Sequence, residues 1–195
     1  IVSHISGGSG LVLTCTSEKE IIFDHCNFQS NKASNNNGGG LSLVTSEIND
    51  KLNFTFNTCN FIGNQATNGG ALFITTTNDF NIESCTFDNN IATTSAGAIY
   101  INIGAIPEER TIHITRCIFT HNQAQSQEVN RYPSGIYLKG TTNTSIQIDR
   151  NTIDNPQAGR DLIYSESRAL HILQNFELTN KVNARAIQLG PDSRT

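Results

Sequence analysis

The sequence predicts an all-β protein, a right-handed parallel β-helix (solenoid) of about six to seven coils with three short strands each. Three observations predict it. Cys26, Cys59, Cys85 and Cys117 each stand five residues before an Asn (Asn31, Asn64, Asn90, Asn122) and seven before an Ala (Ala33, Ala66, Ala92, Ala124), so one supersecondary unit recurs with loops of variable length. Within each unit, apolar residues alternate with a period of two in three short segments parted by turn-formers, the pattern of strands. No window carries apolar residues at three- and four-residue spacing over ten or more positions, as a helix would. Equivalent strands of so short a repeat pair with the next repeat, in parallel and in register, and parallel connections are overwhelmingly right-handed.

The elements follow in order. Gly10 introduces a leading strand at Leu11 and Leu13. Apolar pairs then stand five and three residues before each Cys: Ile21 and Phe23, Phe54 and Phe56, Phe80 and Ile82, Ile112 and Ile114. After each Ala slot comes a small residue and an apolar, variable, apolar triplet: Gly40 before Leu41, Ala71 before Leu72, Ala98 before Ile99, Gly135 before Ile136 and Ala186 before Ile187. Two units keep this grammar after the cysteines stop, with Ile146 and Ile148 before Asn151, and Leu170 and Ile172 before Asn175. Their Ala slots hold Ala158 and Val182, and their Asn slots Pro156 and Asn180. Residues 1–195 thus read as a single β-helix segment: a leading coil over 1–22, coils of strong motif over 23–140 and coils of degenerate motif over 141–195. The first residue is Ile and neither end shows an amphipathic capping helix, so the segment is expected to be part of a longer protein, or a mature product whose ends meet something else.

Stacking explains the composition. Inward residues lie on their own kind every ~4.8 Å along the axis. Phe28, Phe61, Phe87 and Phe119 are expected to form an aromatic ladder, continued by Ile153 and interrupted at Glu177, where Phe176 substitutes through a local shift. Asn31, Asn64, Asn90 and Asn122 fit a turn between two sheets, because Asn tolerates the left-handed conformation and its amide can bond the next Asn in the stack. Cys26, Cys59, Cys85 and Cys117 form a third ladder. Adjacent Cα atoms at ~4.8 Å fall within disulfide range, but parallel side chains do not readily reach the required torsion, so packing as free thiols is expected. Cys15 is outside the register. Zinc does not fit a line of single sulfurs, and no cofactor is expected.

A chain of 195 residues with net charge −4 and 36% apolar residues has no apolar run near membrane-spanning length, and no basic patch of the kind nucleic acid demands. A transmembrane segment and a nucleic-acid partner are therefore not expected.

The tetrapeptides beginning at Phe28, Phe61, Phe87 and Phe119 all read F-x-x-N. GGAL at 69–72, with GGGL at 38–41 and AGAI at 96–99, supplies the second half of the pattern. This alternation of F-x-x-N with GGA[ILV] resembles the repeats of chlamydial polymorphic outer-membrane proteins and related β-helical surface proteins of other microbes, some of them protists. The resemblance covers roughly residues 23 to 140 by motif and the rest by register. It implies a secreted or cell-surface adhesin or adhesin-like protein. The bacterial members are displayed by a membrane-embedded barrel; no barrel segment is expected within these residues, so that mode of display is not carried over.

Three functions compete. A non-catalytic adhesin-like binding or structural β-helix is the leading reading. An extracellular filament or coat, built through uncapped coil ends, is the second. The third is a pectate-lyase-like carbohydrate-active enzyme, which needs carboxylates clustered on one sheet. Asp88 and Asp154 share a slot with Thr120 between them, Asp24, Glu83 and Asp149 are equally scattered, and Arg116 and Arg150 are neighbours beside Asp149. His113 and His171 share an outward slot two coils apart, and His121 lies in a turn. No catalytic site assembles from these, and non-enzymatic function is the expectation.

The functional signal is apolar and outward. Between the inward positions of the post-glycine strand run Val12, Ser42, Phe73, Tyr100, Tyr137, Tyr164 and Gln188. Phe73, Tyr100, Tyr137 and Tyr164 are expected to form one exposed aromatic file, either a contact surface for a host or neighbouring cell-surface protein or glycan, or a ladder that stacks only on itself. The longest insertions, 104–110 and 125–134, fall in the same repeat. Asn53 and Asn143 head N-x-[ST] triplets and are the potential glycosylation sites if the host is eukaryotic.

Overall fold

A computed structural model describes residues 2–3, 9–15, 20–45, 52–104, 109–126, 133–140, 144–154, 160–166, 170–174, 177–179 and 187–189. Every described element is a strand, turn or bend, and every strand pairing is parallel, coil upon coil. The chain is a parallel β-helix.

Four sheets wrap the axis. The first strand of each coil (Glu20–Asp24, Asn53–Asn57, Phe80–Glu83, Arg110–Thr115, Thr144–Asp149, Leu170–Gln174) joins a six-stranded leading sheet. After a corner, Asn27–Gln29, Asn60–Ile62, Thr86–Asp88, Ile118–Thr120, Thr152–Asp154 and Glu177–Thr179 form the Phe sheet, which Val2–Ser3 extends to seven strands. A second corner leads to a short sheet of Gln65–Asn68, Ile91–Ser95 and Gln123–Ala124, a fourth strand that three coils add to the three common ones. The tyrosine sheet closes each coil, running from Leu11–Cys15 through Leu41–Thr45, Leu72–Thr76, Ile99–Ile103, Ile136–Lys139 and Ile163–Ser165 to Ile187–Leu189.

The core follows from the period-two pattern. Phe54, Phe56, Phe80, Ile82, Ile112, Ile114, Ile146 and Ile148 are all buried on the leading sheet, and Leu41, Leu43, Leu72, Ile74, Ile99, Ile101, Ile136 and Leu138 face them from the tyrosine sheet. Between them the rings of Phe28, Phe61, Phe87 and Phe119 stack at centroid separations of 4.7, 4.9 and 4.8 Å, nearly parallel. The spacing is the strand spacing itself, so each ring sits face to face with its neighbour because the backbone ladder holds it there.

Both corners use one device. The residue before each Cys has a left-handed backbone: His25, Thr58, Ser84 and Arg116 have φ of 51, 53, 54 and 56°. The residue before each Asn does the same: Ser30, Gly63, Asn89 and His121 have φ of 55, 66, 54 and 54°. The stacked asparagines therefore do not themselves adopt the left-handed turn expected of them. The turn falls one residue earlier, where the side chain points to solvent, and the asparagine that follows points inward and is fully buried.

The last coil departs from the expected register by one residue. Ile146 pairs with His171 and Ile148 with Leu173, while Ile153 pairs with Leu178. Leu178, and neither Glu177 nor Phe176, is thus the partner of the Phe ladder's last rung. His171 shares no slot with His113, whose column continues through Gln147 to Ile172. A one-residue slip exchanges the faces of a strand, which is why the apolar alternation of 170–174 cannot be read by counting from the coil before. Pro156, Ala158, Asn175, Phe176, Asn180, Val182 and Ala186 lie outside the described residues.

Candidate functional site: corner ladders and an outward aromatic file

At a corner the backbone leaves one sheet before entering the next, and its N–H and C=O groups lose their ladder partners. Buried, each would cost about 1–3 kcal/mol. The inward Asn supplies the missing partners. Asn64 Nδ2 donates to Asn90 Oδ1 at 3.0 Å and to the Phe28 carbonyl at 2.9 Å, while its Oδ1 accepts from the backbone N–H and Nδ2 of Asn31 at 3.1 and 2.9 Å. Asn90 repeats this with Asn122 and the Phe61 carbonyl, and Asn122 Nδ2 donates to the Phe87 carbonyl at 2.9 Å.

The cysteines do the same at the other corner with sulfur. Cys85 Sγ accepts the backbone N–H of Cys59 at 3.3 Å, and the thiol of Cys59 lies 3.2 Å from the Phe23 carbonyl. Cys117 Sγ is 3.5 Å from the Ile82 carbonyl. Cys26, Cys59, Cys85 and Cys117 are all free, and the last three are buried. Cys59 and Cys85 are pushed up, first by the hydrogen bond to the next thiol in the stack, Cys85 and Cys117 respectively, and further by burial. For Cys85 the result is about 12. Burial raises Cys26 as well. A raised pKa leaves little thiolate near neutral pH, which suits a packing role. Cys15 pairs through its backbone with Thr45; its side chain is outside the described residues.

Carboxylates on the outer surface hold corner residues. Asp88 Oδ1 accepts from Thr120 Oγ1 at 2.7 Å and lies 3.0 Å from His121 Nδ1, while Oδ2 accepts from Asn89 Nδ2 at 2.9 Å. Burial pulls the Asp88 carboxyl up, but these bonds outweigh it and leave it below the usual range. His25 and Asn57 lower Asp24 in the same way. Arg116 pairs with Glu83, and Arg150 Nε lies 3.4 Å from Asp149. His25, Arg116, His121 and Arg150 are all left-handed corner residues, so each pair latches a corner to an adjoining strand. Asp24, Glu83 and Asp149 occupy one column with Asn57 and Thr115 between them. Among the described residues no group of three or more His, Cys, Asp or Glu is arranged to hold a metal ion.

The aromatic file is built by the tyrosine sheet. Inward Ile99 and Ile101 leave Tyr100 pointing out, and register aligns it with Phe73, Tyr137 and Tyr164. The rings stack at 5.1, 4.7 and 5.7 Å. Exposure divides them. Phe73 and Tyr100 are half-buried, whereas Tyr137 and Tyr164 retain 3% and 6% of their surface. The expected four-ring exposed platform is corrected to two rings, continued by Ser42 and by Val12 at 62% exposure.

The physical reason includes a residue whose role was hidden in the sequence. Ala96 packs, fully buried, in a cluster with Tyr137 and Tyr164, with Tyr100 against it. It takes a left-handed φ of 58° where the equivalent positions hold Gly38 and Gly69 at 67 and 58°. Its methyl is part of that packed cluster. The departure from Gly in the first position of AGAI was the available signal.

Asn53 is exposed at the start of its strand, with Thr55 on the same face, and Asn143 lies outside the described residues, as do 105–108 and 127–132 of the two long insertions. No described helix is long and apolar enough to cross a membrane.

Residues 84–102 match the repeat of the Chlamydia polymorphic membrane proteins. The matched span runs from the Cys85 corner through Phe87 and Asn90 to Tyr100, the part of one turn that leads from the Cys ladder to the aromatic file, and the chain thus carries a repeat of the polymorphic membrane protein type. No curated protein and no solved structure matches the chain.

Proposed function

We propose that the chain is a non-catalytic, adhesin-like β-helix displayed at a cell surface, which binds a host or neighbouring cell-surface protein or glycan through Phe73 and Tyr100. The repeat at residues 84–102 supports the location, since its relatives are surface-exposed membrane proteins and the repeat is not that of a known enzyme family. The observation that carries the binding assignment is the exposed end of the aromatic file. Phe73 and Tyr100 present half-buried rings on a rigid sheet, held from beneath by Leu72, Ile74, Ile99 and Ile101 and from one side by the buried Tyr137. A rigid, pre-stacked aromatic pair loses little entropy on binding and offers a large apolar contact beside the hydroxyl of Tyr100.

Phe73→Ser with Tyr100→Ser tests the assignment. The protein should keep its β-sheet circular dichroism and lose at least about tenfold in binding to cells or immobilised glycans, as expected when aromatic anchors leave an interface. Unchanged binding by a folded double variant would refute it.

A further inference from the structure

We propose that the outer face of the short sheet is a second binding site, for an acidic oligosaccharide. The face is a trough of about 340 Å³, lined by Lys32, Gln65, Thr67, Ile91, Thr93 and Gln125 among others. Its concavity has a cause in the repeat. The inward residues of this wall are Ala33, Ala66, Ala92 and Ala124, the smallest available side chains, and opposite them stand the middle glycines of the G-G-A motif. A Cβ on Gly39 would lie 2.6 and 2.7 Å from backbone atoms of Gln65, and one on Gly70 would lie 2.7 Å from backbone atoms of Ile91. The short sheet is drawn in until it rests on glycine backbone, and its outer face sinks into a channel.

Elsewhere on the surface, outward polar side chains bond one another: Asn60 to Asn27 at 2.7 Å, Asn68 to Asn37 at 2.9 Å, Asn57 to Asp24 at 2.7 Å. In the trough, Lys32, Gln65, Thr67, Thr93 and Gln125 form no side-chain hydrogen bond or ion pair among the described residues. Their amides and hydroxyls can both donate and accept, which suits a chain of sugar hydroxyls. They are arranged along the axis: Lys32 bridges Gln65, which pairs with Ile91 and then Gln123, so the contacts repeat every ~4.8 Å along an extended ligand. Half-buried Ile91 offers an apolar floor to the face of a sugar ring.

The charge specifies the ligand further. Among the described residues lining the trough Lys32 alone is charged, and none is a carboxylate, although the chain as a whole carries −4. An anionic substituent, carboxylate or sulfate, is therefore accepted at the Lys32 end. An extended peptide is disfavoured because the wall's backbone is already engaged by flanking coils: Gln65 N–H donates to Asn31, Ile91 N–H to Asn64 and Gln123 N–H to Asn90. These N–H groups are not free to pair with a peptide lying along the trough.

The test is titration of the full chain with hexagalacturonate, with its methyl-esterified neutral counterpart and with a sulfated hexasaccharide, followed by calorimetry and amide chemical-shift mapping. The expected result is saturable binding of at least one charged hexamer, with shifts at Gln65, Thr67, Thr93 and Gln125. The neutral chain should bind more weakly, and Lys32→Gln should weaken the charged one by about tenfold or more, the size of a lost charge-assisted contact. Preference for the carboxylated or the sulfated chain names the anionic group. Thr93→Val should weaken all hexamers that bind, and the amide shifts should stay on the short sheet without reaching Phe73 or Tyr100, which separates this site from the aromatic one. The proposal is overturned if no charged hexamer binds, if binding is unchanged when Lys32→Gln and Thr93→Val are combined, or if poly-glutamate competes through the same residues with equal affinity.

Discussion

Asn151 accepts the backbone N–H of Cys117 through its Oδ1 at 2.8 Å, in the same place where Cys85 Sγ accepts that of Cys59 at 3.3 Å. Its Nδ2 donates to the Ile114 carbonyl at 2.8 Å, as the thiol of Cys117 approaches that of Ile82. Asn151 follows the left-handed Arg150 (φ 53°) just as each Cys follows its own left-handed corner. The Cys ladder and the Asn ladder are thus two versions of one corner, and at the fifth rung the cysteine column changes to asparagine without change of role.

Asn151→Ala should destabilise the protein by about 1–3 kcal/mol, because the Cys117 N–H and Ile114 carbonyl are left buried without partners. Asn151→Cys, which restores a rung of the column's own kind, should recover part of that loss. Urea unfolding of the two variants measures both.

Denatured without reductant, Cys26, Cys59, Cys85 and Cys117 should all take up an alkylating agent. In the folded protein near neutral pH, Cys26 should react first, because it is half-buried while the others are covered. The pH dependence of stability follows from Cys85. Its pKa rises from the ordinary 9.0 to about 12 on folding, so the protonated thiol's contribution is complete below 9.0 and is lost as pH rises toward about 12. Unfolding midpoints should fall across that window. A Cys85→Ala variant should show a shallower decline.

Gly63 and Gly70 should respond differently to alanine. A Cβ on Gly63 meets nothing nearer than 3.7 Å, so Gly63→Ala carries only the left-handed backbone penalty, about 1–2 kcal/mol. The equivalent Asn89 occupies that conformation, and Gly63→Asn should cost less still. A Cβ on Gly70 would stand 2.3 Å from the Gly97 carbonyl oxygen, which requires backbone movement between two sheets. Gly70→Ala should lower stability by about 1–3 kcal/mol and collapse less cooperatively. Thermal denaturation distinguishes the two sites.

The aromatic file should divide under alanine substitution. Tyr137→Ala removes a buried ring and should cost about 3–5 kcal/mol, the range for large core aromatics. Tyr100→Ala removes a half-buried one and should cost about 0.5–1.5 kcal/mol of lost stacking. Equal losses at the two positions, read by chemical denaturation, would contradict the division of the file into a packed half and an exposed half.

The coil, its register from Phe23 to Asp154 and the columns of Cys, Phe and Asn are written in the sequence, because in a parallel helix each residue meets its equivalent one repeat later and spacing alone identifies neighbours. Position within a turn was less legible. The left-handed backbone falls on Thr58, Ser84 and His121 rather than on the repeating Cys or Asn, since that slot asks only for tolerance of φ and takes whatever polar residue suits the outside. Burial of Tyr137 and Tyr164 was decided by tertiary structure, because alternation says only that they point outward and not that they pack in one cluster with Ala96. The one-residue slip that pairs Ile146 with His171 was decided there too, for once loop length varies, hydrogen bonding between whole strands sets the register. So was the trough beside Lys32: alanine and glycine columns state that two walls are thin, and only their meeting, backbone against backbone, makes the hollow between them.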